Sequence, residues 1–88
     1  MSLCKSYNYV SSAAYDAMYK LKSKSMKLNT LKNIDNQLEI LDKKFSLEEK
    51  YLQYFRIFDT HLSAVAACQE TAHIMRAQLA KNIEEMES

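Results

Sequence analysis

Hydrophobic residues recur at helical spacing through two long stretches of the chain. From Leu31 to Phe45 the apolar positions lie alternately three and four residues apart, and similar spacing runs from Leu3 to Leu28. Residues at this spacing share one face of an α-helix, and the narrow stripe they form is typical of coiled-coil packing. The seam positions of the second stretch are Leu31, Ile34, Leu38, Leu41 and Phe45.

A further apolar stripe extends from Tyr51 towards the C-terminus and predicts a helix of about 40 residues. Gln69 and Arg76 interrupt this stripe at heptad positions. Its apolar members are Tyr51, Phe55, Phe58, Leu62, Val65, Ala72, Leu79, Ile83 and Met86.

The boundary between these stretches carries a helix-start signal. Residues 46–49 read Ser-Leu-Glu-Glu, which matches a capping box in which Ser46 and Glu49 satisfy each other's backbone N–H groups. The pattern therefore predicts an all-α antiparallel hairpin of two long helices folded at Phe45–Ser46, with residue i near position 91 − i. Weak helix formers between residues 22 and 30 leave a break near residue 29 open, capped by Asn29 or Thr30, which would make three helices.

Composition narrows the function classes. The 88 residues include no glycine and no proline, so the chain lacks the glycine-dependent loops that hold phosphates and dinucleotides or expose a catalytic nucleophile. The length suits one domain, predicted to span residues 1–88. No catalytic residue, cofactor or small-molecule substrate is predicted.

Charge and cysteines indicate a cytoplasmic protein. The net charge is +1, and the N-terminal segment lacks the apolar region of a secretory signal. The two cysteines, Cys4 and Cys68, form no CxxC motif and are expected to stay reduced. In the hairpin register they would lie about 28 Å apart along the axis, so no disulfide is predicted.

A second apolar sector on the first arm predicts a protein partner. One hairpin covers a single side of each helix, and several large residues of this arm fall outside the packed stripe. We therefore expect a non-enzymatic interaction subunit (an adaptor, assembly factor or small chaperone) that buries an apolar helix face against a second copy or a heterologous helical protein. The predicted partner-binding residues are Tyr15, Met18, Tyr19 and Met26, with Ile74 and Met75 on the second arm.

The sequence leaves two alternative functions open. Lys20, Lys24 and Lys27 share a helix face and could contact phosphates in a small nucleic-acid-binding regulator. No helix-turn-helix signature accompanies them, and their bunching at one end of the segment argues against a membrane-surface helix. A purely structural, self-assembling coiled coil is the other alternative. His61 and Cys68, seven residues apart, are the best candidate metal ligands in the sequence. No second pair of ligands accompanies them, so no metal is predicted.

Overall fold

The computed structural model describes residues 2–55 and 60–87, and three helices account for most of them. They are α1 (Leu3–Lys20), α2 (Lys24–Tyr54) and α3 (Thr60–Glu87). The described residues contain no strand, so the predicted all-α class is confirmed. Phe58, assigned from the sequence to the apolar stripe of the second arm, lies outside the described residues.

Helices α1 and α3 run parallel. The hydroxyl of Tyr7 donates to the carbonyl oxygen of Thr71 at 3.4 Å, near the start of α1. Towards the end of α1, the side-chain amide of Asn82 donates to the sulfur of Met18 at 3.0 Å. Sequence number therefore rises in the same direction along both helices.

Helix α2 runs in the opposite direction. Its N-terminal part lies beside the end of α3, where Lys32 pairs with Glu87 at 2.8 Å. Its C-terminal part lies beside the start of α3, where Glu48 contacts His61 at 2.9 Å. The chain is thus an up-down-up bundle of three helices. It differs from the predicted two-helix hairpin, in which the residues up to Phe45 form one arm.

Helix α2 continues without interruption through Phe45–Ser46, so the predicted fold point is wrong. Phe45 is fully buried, and Leu41 and Leu52 on either side are buried too. The apolar seam thus extends across the capping-box sequence, and its burial outweighs the local signal. Ser46 lies inside the helix, where its hydroxyl accepts a hydrogen bond from the side-chain amide of Gln69 at 2.9 Å.

The break in the first arm lies at residues 21–23, and not near residue 29. Leu21 and Ser23 have extended backbone, and the Ser23 hydroxyl accepts from the backbone N–H of Met26 at 3.4 Å. Ser23 is therefore the N-cap of α2, and Asn29 and Thr30 lie inside the helix. Three residues are enough to reverse direction between antiparallel helices.

These two serines give a matched pair of substitutions. Ser23→Ala removes the N-cap and should lower the free energy of unfolding by about 1 kcal/mol. Ser46→Ala removes an exposed hydrogen bond from Gln69 but places a better helix former inside the same helix, so it should change the free energy of unfolding by less than about 0.5 kcal/mol. Urea titrations followed by circular dichroism measure both, and a larger loss at Ser46 than at Ser23 would restore the predicted helix boundary.

The core is one apolar cluster to which all three helices contribute, and no polar or charged side chain of the described residues is buried in it. Its buried members are Tyr7, Val10, Ala14, Ala17, Leu31, Ile34, Leu38, Leu41, Phe45, Leu52, Val65, Ala72, Met75 and Leu79.

The first helix is much shorter than the second. At about 1.5 Å per residue α1 is about 27 Å long and α2 about 46 Å. Cys4, near the start of α1, lies beside Cys68. The part of α3 before Cys68 therefore extends past the start of α1, and so does the C-terminal part of α2 that packs against it.

A disulfide joins α1 to α3, which contradicts the predicted free thiols. Cys4 and Cys68 are bonded with their Cα atoms 5.9 Å apart. The prediction failed because it used the hairpin register, whereas the parallel packing of α1 on α3 brings the two cysteines to the same level. Disulfides persist in oxidising compartments, so the cysteines no longer support the cytoplasmic prediction.

Candidate partner-binding surfaces

Tyr15 and Tyr19 form an exposed aromatic pair on α1. They lie one helical turn apart, with parallel rings whose centroids are 6.4 Å apart. Tyr19 keeps 77% of its surface exposed and Tyr15 keeps 48%. Both side chains are therefore accessible to a partner, as the interaction role predicted from the sequence requires.

The other predicted partner-binding residues lie in different surroundings. Met26 and Ile74 are exposed, on α2 and α3 respectively. Met18 is half-buried against the core. Met75 is buried within the core, where it packs inside the bundle and presents no surface to a partner.

A cleft of about 470 Å³ lies where α1 ends and α2 begins, against the C-terminal part of α3. It brings Met18 and Tyr19 together with Lys24 and Lys27, residues assigned from the sequence to two different functions. Glu85 also lines it, so the lysines share the cleft with a carboxylate. The full lining is Met18, Tyr19, Lys24, Lys27, Leu31, Gln78, Asn82, Glu85 and Met86.

The lysine face predicted from the sequence is divided by the fold. Lys24 and Lys27 line the cleft with Glu85. Lys20 belongs to the end of α1, where its ammonium group pairs with Asp16 at 3.2 Å. A phosphate backbone would therefore meet two neighbouring carboxylates, which weakens the electrostatic attraction on which nucleic-acid binding depends.

A polar network joins α2 to α3 and explains the interrupted stripe. Gln69 donates to the carboxylate of Asp42 at 3.0 Å, and a ring nitrogen of His73 contacts the same carboxylate. Arg76 donates to Asp35 at 3.1 Å. The two polar residues at heptad positions of α3 thus bind acidic partners on α2.

The network changes two pKa values. The hydrogen bond from Gln69 lowers the pKa of Asp42, partial burial opposes this, and His73 lowers it further. The hydrogen bond to Asp35 raises the pKa of Arg76, again against partial burial. Both shifts favour the charged forms, so the network supports the packing of α2 on α3 at neutral pH.

Acid should therefore weaken the bundle partly through Asp42. A carboxyl group with a lowered folded-state pKa contributes stability that is complete above its unfolded value of about 3.9. That contribution is lost as the pH falls through the lower folded-state pKa. The thermal midpoint of Asp42→Asn should therefore fall less than that of the wild type between about pH 5 and pH 2. The variant Asp16→Asn, at an exposed position, controls for the change in charge, and identical acid profiles for wild type and Asp42→Asn would contradict the network's role.

An apolar surface on α2, opposite the core, was missed from the sequence. It consists of Ile40, Leu47, Tyr51 and Tyr54, all exposed and spaced seven, four and three residues apart. We call these four residues the far face of α2. At about 100° per residue they fall within about 60° of one another, on the side away from the buried seam.

An aromatic cluster ends the far face. The ring of Phe55 lies 4.7 Å from that of Tyr51 and 5.0 Å from that of Tyr54. Tyr51 and Phe55 were assigned to the core stripe from the sequence, but both are exposed and Leu52 between them is buried. Continuing the seam seven residues beyond Phe45 would have found Leu52.

Lysines border the far face. Lys43, Lys44 and Lys50 are all exposed. Glu48 contacts His61 on α3, and Glu39 lies 3.9 Å from Lys43 and partly offsets its charge. The surface is therefore apolar along its middle and basic at its edges.

Other site chemistry is not apparent in the part of the chain that the structure describes. Residues 2–55 and 60–87 hold no group of three histidine, cysteine or acidic side chains placed to bind a metal ion. None of the helices described there is both long enough and apolar enough to cross a bilayer. Comparison with protein-family models, with curated proteins and with solved structures finds no match to this chain.

Proposed function

We propose that this chain is a non-enzymatic helical interaction subunit that buries the apolar face of a partner helix on the far face of α2. The observation that carries the proposal is the exposure of four large apolar residues at helical spacing on the side of α2 opposite its core seam. Anchors at such spacing are those by which a helix packs on another helix. A contiguous apolar patch of this kind typically marks an interaction site on a soluble protein.

The patch is large enough for a specific contact. With the exposed fractions of the far face and Phe55, the accessible apolar and aromatic surface is on the order of 600 Å². A standard interface buries about 800 Å² on each partner. Side chains at the edges supply the remainder, as in interfaces with an apolar centre and a polar rim.

The same packing serves each role considered from the sequence. An adaptor, an assembly factor and a small chaperone all hold a partner through a covered apolar face, and a self-assembling coiled coil differs only in that the partner is a second copy. The exposed pair of Tyr15 and Tyr19 on α1 is a second surface for the same kind of contact.

Charge substitutions on the far face should abolish partner binding without unfolding the bundle. The variant Leu47→Glu/Tyr54→Glu replaces two exposed side chains, so helicity should be unchanged. The control is Gln53→Glu/Ser63→Glu, which puts the same charges on exposed polar positions away from the far face, about 120° around α2 from Leu47 and on α3. The measurement combines quantitative affinity purification from the native source with sedimentation of the purified protein.

We expect wild type and control to retain the same partner, or to self-associate at tens of micromolar, and the far-face variant to do neither. Equal retention by all three proteins would overturn the assignment to this face. In that case Tyr15→Glu/Tyr19→Glu should remove the partner instead, which would place the contact on α1.

A further inference from the structure

We infer that the occupant of the far face of α2 is an amphipathic helix of another protein whose apolar seam is bordered by acidic residues. This inference rests on the proposed function and names the chemistry of the partner. It is carried by the exposed lysines at the edges of the far face, Lys44 and Lys50 together with Lys43, whose charge Glu39 partly offsets, and by the contact of Glu48 with His61.

The lysines lie on both sides of the far face. Taking Leu47 as the reference, the helical rotation of about 100° per residue puts Lys44 about 60° to one side. Lys43 and Lys50 fall about 40–60° to the other side. Glu39 and Glu48 are about 80–100° away. On both sides of a helix packed on Leu47, the nearest charged side chains would therefore be lysines and not glutamates.

A second copy is a poor occupant of this surface. In an antiparallel pair of α2 helices centred on Leu47, Lys43 would face Lys50 of the other copy. In a parallel pair, Lys44 at one edge would face Lys43 of the other copy. Like charges in these positions oppose pairing, whereas carboxylates on a partner helix would neutralise all three lysines.

The lysine side chains also suit such a partner sterically. Their methylene stems can lie along the apolar surface while the ammonium groups reach outward. Tyr51 and Tyr54 are amphipathic in the same way, since each ring packs while its hydroxyl stays in water. A partner helix with a leucine-rich seam and flanking Asp or Glu satisfies both features.

The test uses two synthetic helical peptides with the same leucine seam, one flanked by glutamate and the other by lysine. Fluorescence anisotropy with labelled peptide, at physiological salt, measures their binding to the full chain. We expect the glutamate peptide to bind at least tenfold more tightly, with a preference that declines as salt is raised.

Charge reversal should exchange the preference. The variant Lys43→Glu/Lys44→Glu/Lys50→Glu should bind the lysine peptide more tightly than the glutamate peptide. The control Lys20→Glu/Lys22→Glu/Lys24→Glu changes net charge equally, away from the far face, and should keep the wild-type order.

The remaining outcomes each overturn a specific statement. Equal binding of both peptides, abolished by Leu47→Glu/Tyr54→Glu, would overturn the acidic partner while keeping the proposed function. Binding of neither peptide, together with a wild-type dimer that the same variant dissociates, would assign the face to a second copy and also overturn the inference. Binding of neither peptide by a monomeric wild type would overturn the inference, and retention of the native partner by Leu47→Glu/Tyr54→Glu would overturn the proposed use of this face as well.

Discussion

Replacing Phe45 by alanine is expected to lower the free energy of unfolding by about 3–5 kcal/mol. The Phe45 side chain has no exposed surface and lies in the middle of α2. Its removal forfeits the transfer free energy of an aromatic ring and leaves a cavity that the helices around it can only partly fill. Had the chain folded at Phe45–Ser46, the residue would lie at a turn and its loss would matter much less.

Leu47→Ala is the matched control for this substitution. It also removes a large apolar side chain, two residues further along the same helix, but Leu47 is 67% exposed. Its effect should stay within about 0.5 kcal/mol. Chemical denaturation of both variants measures the difference, and equal effects would contradict the orientation of α2.

The core face of each N-terminal stretch could be predicted because it depends on local spacing. Leu31, Leu38 and Phe45 are fully buried, as their spacing of three and four residues indicated. Ala14 and Ala17 on α1 are buried in the same way. Apolar residues that share one helix face need only some neighbouring surface to be buried, whatever its position in the sequence.

The ends of the helices could not be predicted, because they follow from a competition between local and tertiary terms. A capping box contributes about 1 kcal/mol, and burial of one large apolar side chain contributes about 1.5–3 kcal/mol. At Ser46 the capping signal lies between two buried residues, Phe45 and Leu52, so packing outweighs it. At Ser23 no such seam crosses the capping signal, and the helix begins there.

The candidate surface was missed because α2 is apolar on two sides. Tyr51 and Phe55 have the spacing of a core stripe, and so does the continuation of the true seam to Leu52. Both stripes are plausible from spacing alone. The packing of α3 decides between them, since Leu52 is buried and the two aromatic residues are left exposed. The periodicity placed Tyr51 and Phe55 on the core face, whereas Leu52 is the residue that the packing of α3 buries.

Reduction of the Cys4–Cys68 disulfide should destabilise the bundle by about 4 kcal/mol, because the bond closes a long loop in the unfolded chain. The cysteines are 64 residues apart in sequence. For a domain of this size such a loss corresponds to a fall in the thermal midpoint of roughly 15–30 °C. The bond also fixes α1 beside α3, so its loss should loosen α1 before the α2–α3 pair.

Thermal unfolding with and without a thiol reductant measures the effect, and Cys4→Ser/Cys68→Ser provides the control. The double variant should match the reduced wild type and should not respond to reductant. Mass spectrometry of the non-reduced protein should find the mass of the bonded form. Two free thiols in oxidised, purified protein would contradict the parallel packing of α1 on α3, since that packing brings the two Cα atoms within 5.9 Å and thus within bonding reach.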